Sequence, residues 1–132
     1  MMADACYCIL MRKASRKMSS LYDEALSPLG INVAQFSLMR TVQKRAPVSL
    51  TDLARYLELD RSTVGRNAKV LERRGLIQNT RGEDQREALL SITPAGERLL
   101  DSGVPLWDSV QARIGKRFSA TEGALQALID EL

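Results

Sequence analysis

A chain of 132 residues is one domain in length, and its 45% hydrophobic content is enough for a buried core, which argues against disorder. It contains no histidine, which removes the commonest general base, the commonest zinc ligand and every Ser-His or Cys-His nucleophile pair, while two cysteines, Cys6 and Cys8, are too few for a disulfide framework. The net charge of +3 argues little, but its distribution does: Arg61, Arg66, Lys69, Arg73, Arg74, Arg81 and Arg86 share one stretch with only Glu72, Glu83 and Asp84, a basic patch suited to nucleic acid.

The first element in chain order is a helix over about Asp4 to Leu29. Cys8, Met11, Ser15, Met18, Tyr22, Ala25 and Leu29 recur at alternating steps of three and four, the spacing of a helix-helix seam. Ser27-Pro28-Leu29-Gly30 ends it, with Gly30 suited to a left-handed cap. A second helix is predicted from Val33 to Lys44, burying Phe36, Leu38, Met39 and Val42. Ser49 and Asp52 then open a short helix with Leu50, Leu53, Ala54 and Leu57 on its apolar face. Asp60 caps a second short helix, whose inner face is Val64, Ala68 and Leu71 and which closes on Arg73-Arg74-Gly75.

Leu76–Thr80 and Ala88–Thr93 read as the two strands of a hairpin around the charged loop Arg81-Gly82-Glu83-Asp84-Gln85-Arg86. Thr93-Pro94 restarts a helix that runs to about Phe118 with a kink expected at Val104-Pro105. Ser119 and Glu122 suggest the cap of a last, separate helix. Leu99, Leu100, Leu106, Trp107, Val110, Ile114, Phe118, Leu125, Leu128 and Leu132 form a second apolar surface, which a symmetric dimer would use.

Two short helices, the second basic, followed by a charged hairpin form a winged helix-turn-helix. This arrangement places side chains in the major groove of double-stranded DNA. The outward positions of the second short helix are Arg61, Ser62, Thr63, Arg66 and Asn67. Arginine can bond guanine in bidentate fashion, asparagine can do so with adenine, and the hydroxyls adapt to either partner. Lys69, one turn on, and Arg81 suit phosphates. The bland alternative for all of these is a solvated helix face and a soluble hairpin tip.

The run LxxLARxLxLDRSTVxRNxKxLERRGLI at Leu50 to Ile77 leads into the Asp84-Gln85-Arg86 loop and then Leu90-Ser91-Ile92-Thr93-Pro94-Ala95-Gly96. Together they resemble the MarR family of dimeric winged-helix transcription regulators, over nearly the whole chain. The resemblance implies a single 1–132 domain that is mainly α. In it, 31–93 form the winged helix-turn-helix with a two-stranded β-wing, and 1–30 and 94–132 are dimerisation helices. It implies a homodimer on a pseudo-palindromic operator, recognition helices in consecutive major grooves, and release by a small-molecule or oxidant effector. By the same resemblance Arg86 holds the place of the arginine that enters the minor groove; Asp84, an acid unfavourable beside DNA unless it pairs with a neighbouring arginine, is read as orienting the wing and not as a contact.

Cys8 stands at a spacing from Ser15-Arg16 and Tyr22 similar to that of the reactive cysteine in the organic-hydroperoxide-sensing branch of the family. Arg12 and Val33 stand where that branch has further tyrosines. Cys8 and Tyr22 are about 21 Å apart along one helix, so a contact between them would have to come from a partner subunit. A small buried hydrophobe at a dimer seam is the alternative role for Cys8.

The expectation is a DNA-binding transcriptional regulator acting as a repressor, without cofactor, metal or membrane association. No apolar run reaches the roughly 20 residues of a membrane span. No secretory leader is evident, so a cytoplasmic location is expected. The rival classes are a peroxide-reacting thiol enzyme using Cys8 and a protein-binding winged helix without DNA activity.

Overall fold

In the computed structural model, which describes residues 6–81 and 87–132, helix α1 spans Tyr7–Leu26 and passes into a 3-10 turn at Ser27–Leu29. The expected helix to Leu29 therefore tightens three residues early. Pro28 has no N–H to continue the α-helical ladder, and the Ser27 hydroxyl donates back to the Glu24 carbonyl (2.7 Å). Gly30 closes the turn at φ 69°, the left-handed conformation expected of it. Helix α2, Val33–Arg45, starts in a capping box: the Gln35 N–H donates to Asn32 Oδ1 (2.8 Å) and the Asn32 N–H to Gln35 Oε1 (3.1 Å). The Val33 N–H also donates to Asp23 Oδ1 (2.7 Å), fastening α2 to α1.

Strand β1 is the pair Val48–Ser49, and α3 (Leu50–Leu57) follows with the Ser49 Oγ accepting from the Asp52 N–H (3.1 Å). Helix α4 spans Arg61–Arg73, and β2 (Ile77–Arg81) pairs antiparallel with β3 (Ala88–Ile92). The wing is part of a three-stranded sheet of order β1-β3-β2, because β1 adds to β3 through Val48 opposite Leu90 and Ser49 opposite Leu89. Two residues are too short to show alternation, so β1 leaves no signal in the pattern.

Helix α5 runs unbroken from Pro94 to Glu131. This corrects two expectations: the chain does not break at Val104-Pro105, and Ser119 lies inside the helix instead of capping a new one. Pro105 deprives the Asp101 carbonyl of its usual donor, but both residues are exposed, so water can serve that carbonyl. At the other end, the Thr93 Oγ1 accepts from the Gly96 N–H (3.0 Å), the cap its position predicts.

The core lies where α2, α3, α4 and the sheet meet under the first half of α5. Phe36, Leu38, Met39 and Val42 of α2 pack there with Leu53, Val64, Leu71, Ile77, Leu90 and Leu100. Leu26 brings in the end of α1. Gly103 lets α5 settle on Phe36, since a Cβ there would stand 2.7 Å from the Phe36 ring. Among the described residues, no helix is long and apolar enough to cross a membrane.

Candidate nucleic-acid interface

Helix α4 buries Val64, Ala68 and Leu71 against the core, so its opposite side must face solvent. Its entry is a tight turn in which Glu58 adopts the left-handed conformation (φ 53°) and the Leu59 N–H donates to the Ala54 carbonyl (3.1 Å). Arg45, at the end of α2, lays its guanidinium 3.9 Å from the ring centroid of Tyr56, which braces the outer side of α3.

Arg61, Ser62, Gly65, Arg66 and Lys69 line one groove of about 610 Å³ between α4 and the sheet, with Asn79 and Ala88 on the facing strands. Four of the residues singled out by pattern thus share one surface. No described carboxylate stands within salt-bridge distance of Arg61, Arg66, Lys69 or Arg73; the described ion pair is Arg55 with Asp52 at 3.3 Å, on the exposed side of α3. Glu72 also lines the groove, so this face carries the cations Arg61, Arg66 and Lys69 against one carboxylate and keeps a net positive charge.

Thr63 and Asn67 do not line that groove and are half-buried. Thr63 is engaged internally: its hydroxyl donates to Asp60 Oδ2 (2.7 Å) and accepts from Arg66 Nη2 (3.3 Å). Asp60, in the N-cap position, makes no backbone cap bond and instead anchors this chain of contacts. Thr63, itself fixed by Asp60, steadies the Arg66 guanidinium. In the wing, Arg81 ends β2 opposite Ala88, while Asp84 and Arg86 lie outside the described residues. Asn79 was not singled out by pattern; alternation with the buried Ile77 on β2 is the signal that places it on the α4 side.

Arg74 was counted with the basic patch by sequence, yet its guanidinium points away from the groove's lining. Its Nη1 donates to the Gly30 carbonyl (2.6 Å) and its Nη2 to the Leu29 carbonyl (3.0 Å). No spacing rule links residues 44 and 45 positions apart, so this contact had no sequence signal.

Cys6 and Cys8 are free thiols on the exposed start of α1. The first half of the α1 seam is open in the single chain, whereas Met18, Tyr22 and Ala25 are half-buried. The Tyr22 hydroxyl donates to Gln111 Oε1 of the same chain's α5. Burial raises the Tyr22 phenol above its ordinary value by disfavouring the phenolate. Met11, Met18, Tyr22, Phe118 and Leu125 line an apolar cleft of about 360 Å³ between α1 and α5.

A second cleft, of about 390 Å³, lies between α2 and α5. There the Arg40 guanidinium stands 5.3 Å from the Trp107 ring centroid and 5.7 Å from that of Phe36, beside Ser37, Thr41 and Lys44. Among the described residues, no group of three histidine, cysteine or carboxylate side chains is gathered to hold a metal ion.

Element order, sheet topology and the exposed cationic face of α4 define a winged helix-turn-helix protein. The MarR family model matches residues 29–87, from the end of the 3-10 turn to the start of β3. The uncharacterized HTH-type transcriptional regulator YwoH of Bacillus subtilis is 30% identical over 88 residues, 67% of this chain; the match spans 64% of that protein, under two thirds of its length. The organic hydroperoxide resistance transcriptional regulator of B. subtilis is 26% identical over 129 residues, covering 95% of this chain and 88% of that one. The crystal structure of the M. tuberculosis transcriptional regulator MosR in complex with DNA superposes with a TM-score of 0.75 at 30% identity. It covers 94% of this chain and 98% of the other. The chain belongs to the MarR family.

Proposed function

We propose that this protein is a DNA-binding transcriptional regulator of the cytoplasm that works as a homodimer on a pseudo-palindromic operator, as a repressor released by an effector. It is a binding protein and not an enzyme, in keeping with relatives that are transcriptional regulators. The observation that carries the reading is the groove beside α4, where Arg61, Ser62, Arg66 and Lys69 stand together with a single lining carboxylate, Glu72, and no described ion pair among them. Arg66, steadied by Thr63, reads a base edge; Ser62 and Arg61 contact bases or the adjoining sugar-phosphate; Asn67 lies at the rim, and Lys69 and Arg81 meet phosphates. Arg86 enters the minor groove at the wing and Asp84 orients it.

The dimer reading, in which 1–30 and 94–132 supply the interface around the 31–93 winged helix, rests on apolar side chains left uncovered in the single chain. Tyr7 is 81% and Leu132 95% exposed, and Ile9, Leu10, Met11, Leu128 and Ile129 are also open. For release, two routes have support. Cys8 is exposed in the same first turn of α1, where oxidation would place a polar oxygen among these apolar side chains. The α2–α5 cleft offers Arg40, Lys44 and Trp107 to a small aromatic anion. Binding of the purified protein to duplexes selected from random DNA, followed by fluorescence anisotropy, tests the reading. Salt-sensitive, sequence-selective binding is expected; failure to select any sequence would refute it.

A further inference from the structure

The C-terminal end of α4 is the point at which the recognition helix is joined to both flanking helices. Its backbone closes with the Leu76 N–H donating to the Leu71 carbonyl (3.0 Å) and the Gly75 N–H to the Glu72 carbonyl (2.9 Å), around Gly75 at φ 71°. On one side, Thr93 at the start of α5 donates its hydroxyl to the Gly75 carbonyl (2.7 Å) or the Leu76 carbonyl (3.0 Å), and its N–H to the latter (3.2 Å). On the other side, the two-pronged guanidinium of Arg74 spans the Leu29 and Gly30 carbonyls. Those carbonyls end the 3-10 turn that follows α1, where the last acceptors of a helix lack internal donors and the dipole favours a cation.

We propose that Arg74 is a positioning residue for DNA recognition. By bridging the end of α4 to the α1–α2 corner, it sets the angle at which the recognition helix stands on the flanking-helix scaffold, and so the operator spacing the protein accepts. Val64, Ala68 and Leu71 seat α4 on the core and Thr93 ties its C-terminus to α5; Arg74 adds a second polar anchor at that end, to the α1–α2 corner. A planar fork with both donors engaged fixes an orientation, which a lysine ammonium holding one carbonyl does not. With both Nη groups committed to carbonyls, Arg74 is not a free phosphate ligand, although it belongs to the basic stretch by sequence. The inference rests on the reading of two recognition helices on two half-sites.

The test uses the full chain and duplexes selected by the wild-type protein, with one base pair inserted or deleted between the half-sites. One added base pair moves the far half-site by about 3.4 Å and turns it by roughly a tenth of a helical turn. Wild type is expected to lose about tenfold or more in affinity on the altered spacings, Arg74→Met about threefold or less, and Arg74→Lys an intermediate factor. The salt slope on the parent duplex should be the same in all three proteins. Spacing profiles identical to wild type in both variants would overturn the proposal. So would a salt slope reduced by about 0.9 in Arg74→Met, which would make Arg74 a phosphate ligand. Where Arg74→Met does not fold, the profile of Arg74→Lys decides. A wild-type protein indifferent to spacing would instead sink the two-half-site reading itself.

Discussion

Gly96 brings the first turn of α5 so close to Leu76 that a Cβ at this position would stand 2.1 Å from the Leu76 carbonyl oxygen. The obstacle is backbone, and that backbone already accepts from Thr93, so it cannot swing aside without breaking the joint between α4 and α5.

Gly96→Ala should therefore lower stability by about 1–3 kcal/mol, the usual cost of overpacking, in spite of the better helix propensity of alanine. Thr93→Ala should cost about 1 kcal/mol through the lost cap. Chemical denaturation of both variants measures this. A neutral Gly96→Ala would mean that α5 can slide along the sheet.

The contact between Thr63 and Arg66 predicts non-additivity. Arg66→Ala should cost about 1–3 kcal/mol of discrimination at one base position if it makes a bidentate contact. Thr63→Val, which removes the hydroxyl and keeps the shape, should weaken binding in the presence of Arg66 and have little effect in the Arg66→Ala background. Equal effects in both backgrounds would show that Thr63 meets DNA itself.

Affinity should fall steeply with salt, log affinity dropping by roughly 0.9 per neutralised phosphate for each tenfold rise in salt. Half-sites should lie about 10 bp apart, centre to centre. Arg86→Ala should weaken binding to most sequences and soften any preference for A·T pairs beneath the wing. A titration series in salt, repeated for the variant, reads both effects. Binding that ignores salt would contradict the electrostatic reading of α4.

Hydroperoxide should oxidise the Cys8 thiol to a sulfenic acid, the peroxide leaving as the alcohol, and operator affinity should then drop. Cys8→Ser should abolish the response, while Cys6→Ser should leave the initial loss of affinity intact and alter its reversal by thiols. If wild type and Cys8→Ser respond alike, or neither responds, release by a small molecule in the α2–α5 cleft becomes the reading to pursue.

The amphipathic period of α4, the Ser49 and Thr93 caps, and the Gly30 and Gly75 turns were legible in the sequence. Each depends on neighbours within a few residues, where backbone geometry and dipole direction leave little choice. The grouping of Arg61, Ser62, Arg66 and Lys69 was legible for the same reason: one helix face collects positions three and four apart. Tertiary structure decided the rest. Pro105 and Ser119 carry local signals to break a helix, but α5 continues through both, since an exposed carbonyl can turn to water and a capping pattern has no force where the chain does not start a helix. Strand β1 exists because β3 passes beside Val48, and Tyr22 is held by Gln111, a partner 89 positions away. Arg74 shows the division most plainly. Its place after α4 announces a cation at a helix end, but the acceptors it found belong to another helix, and only packing α4 against the α1–α2 corner brings them within reach.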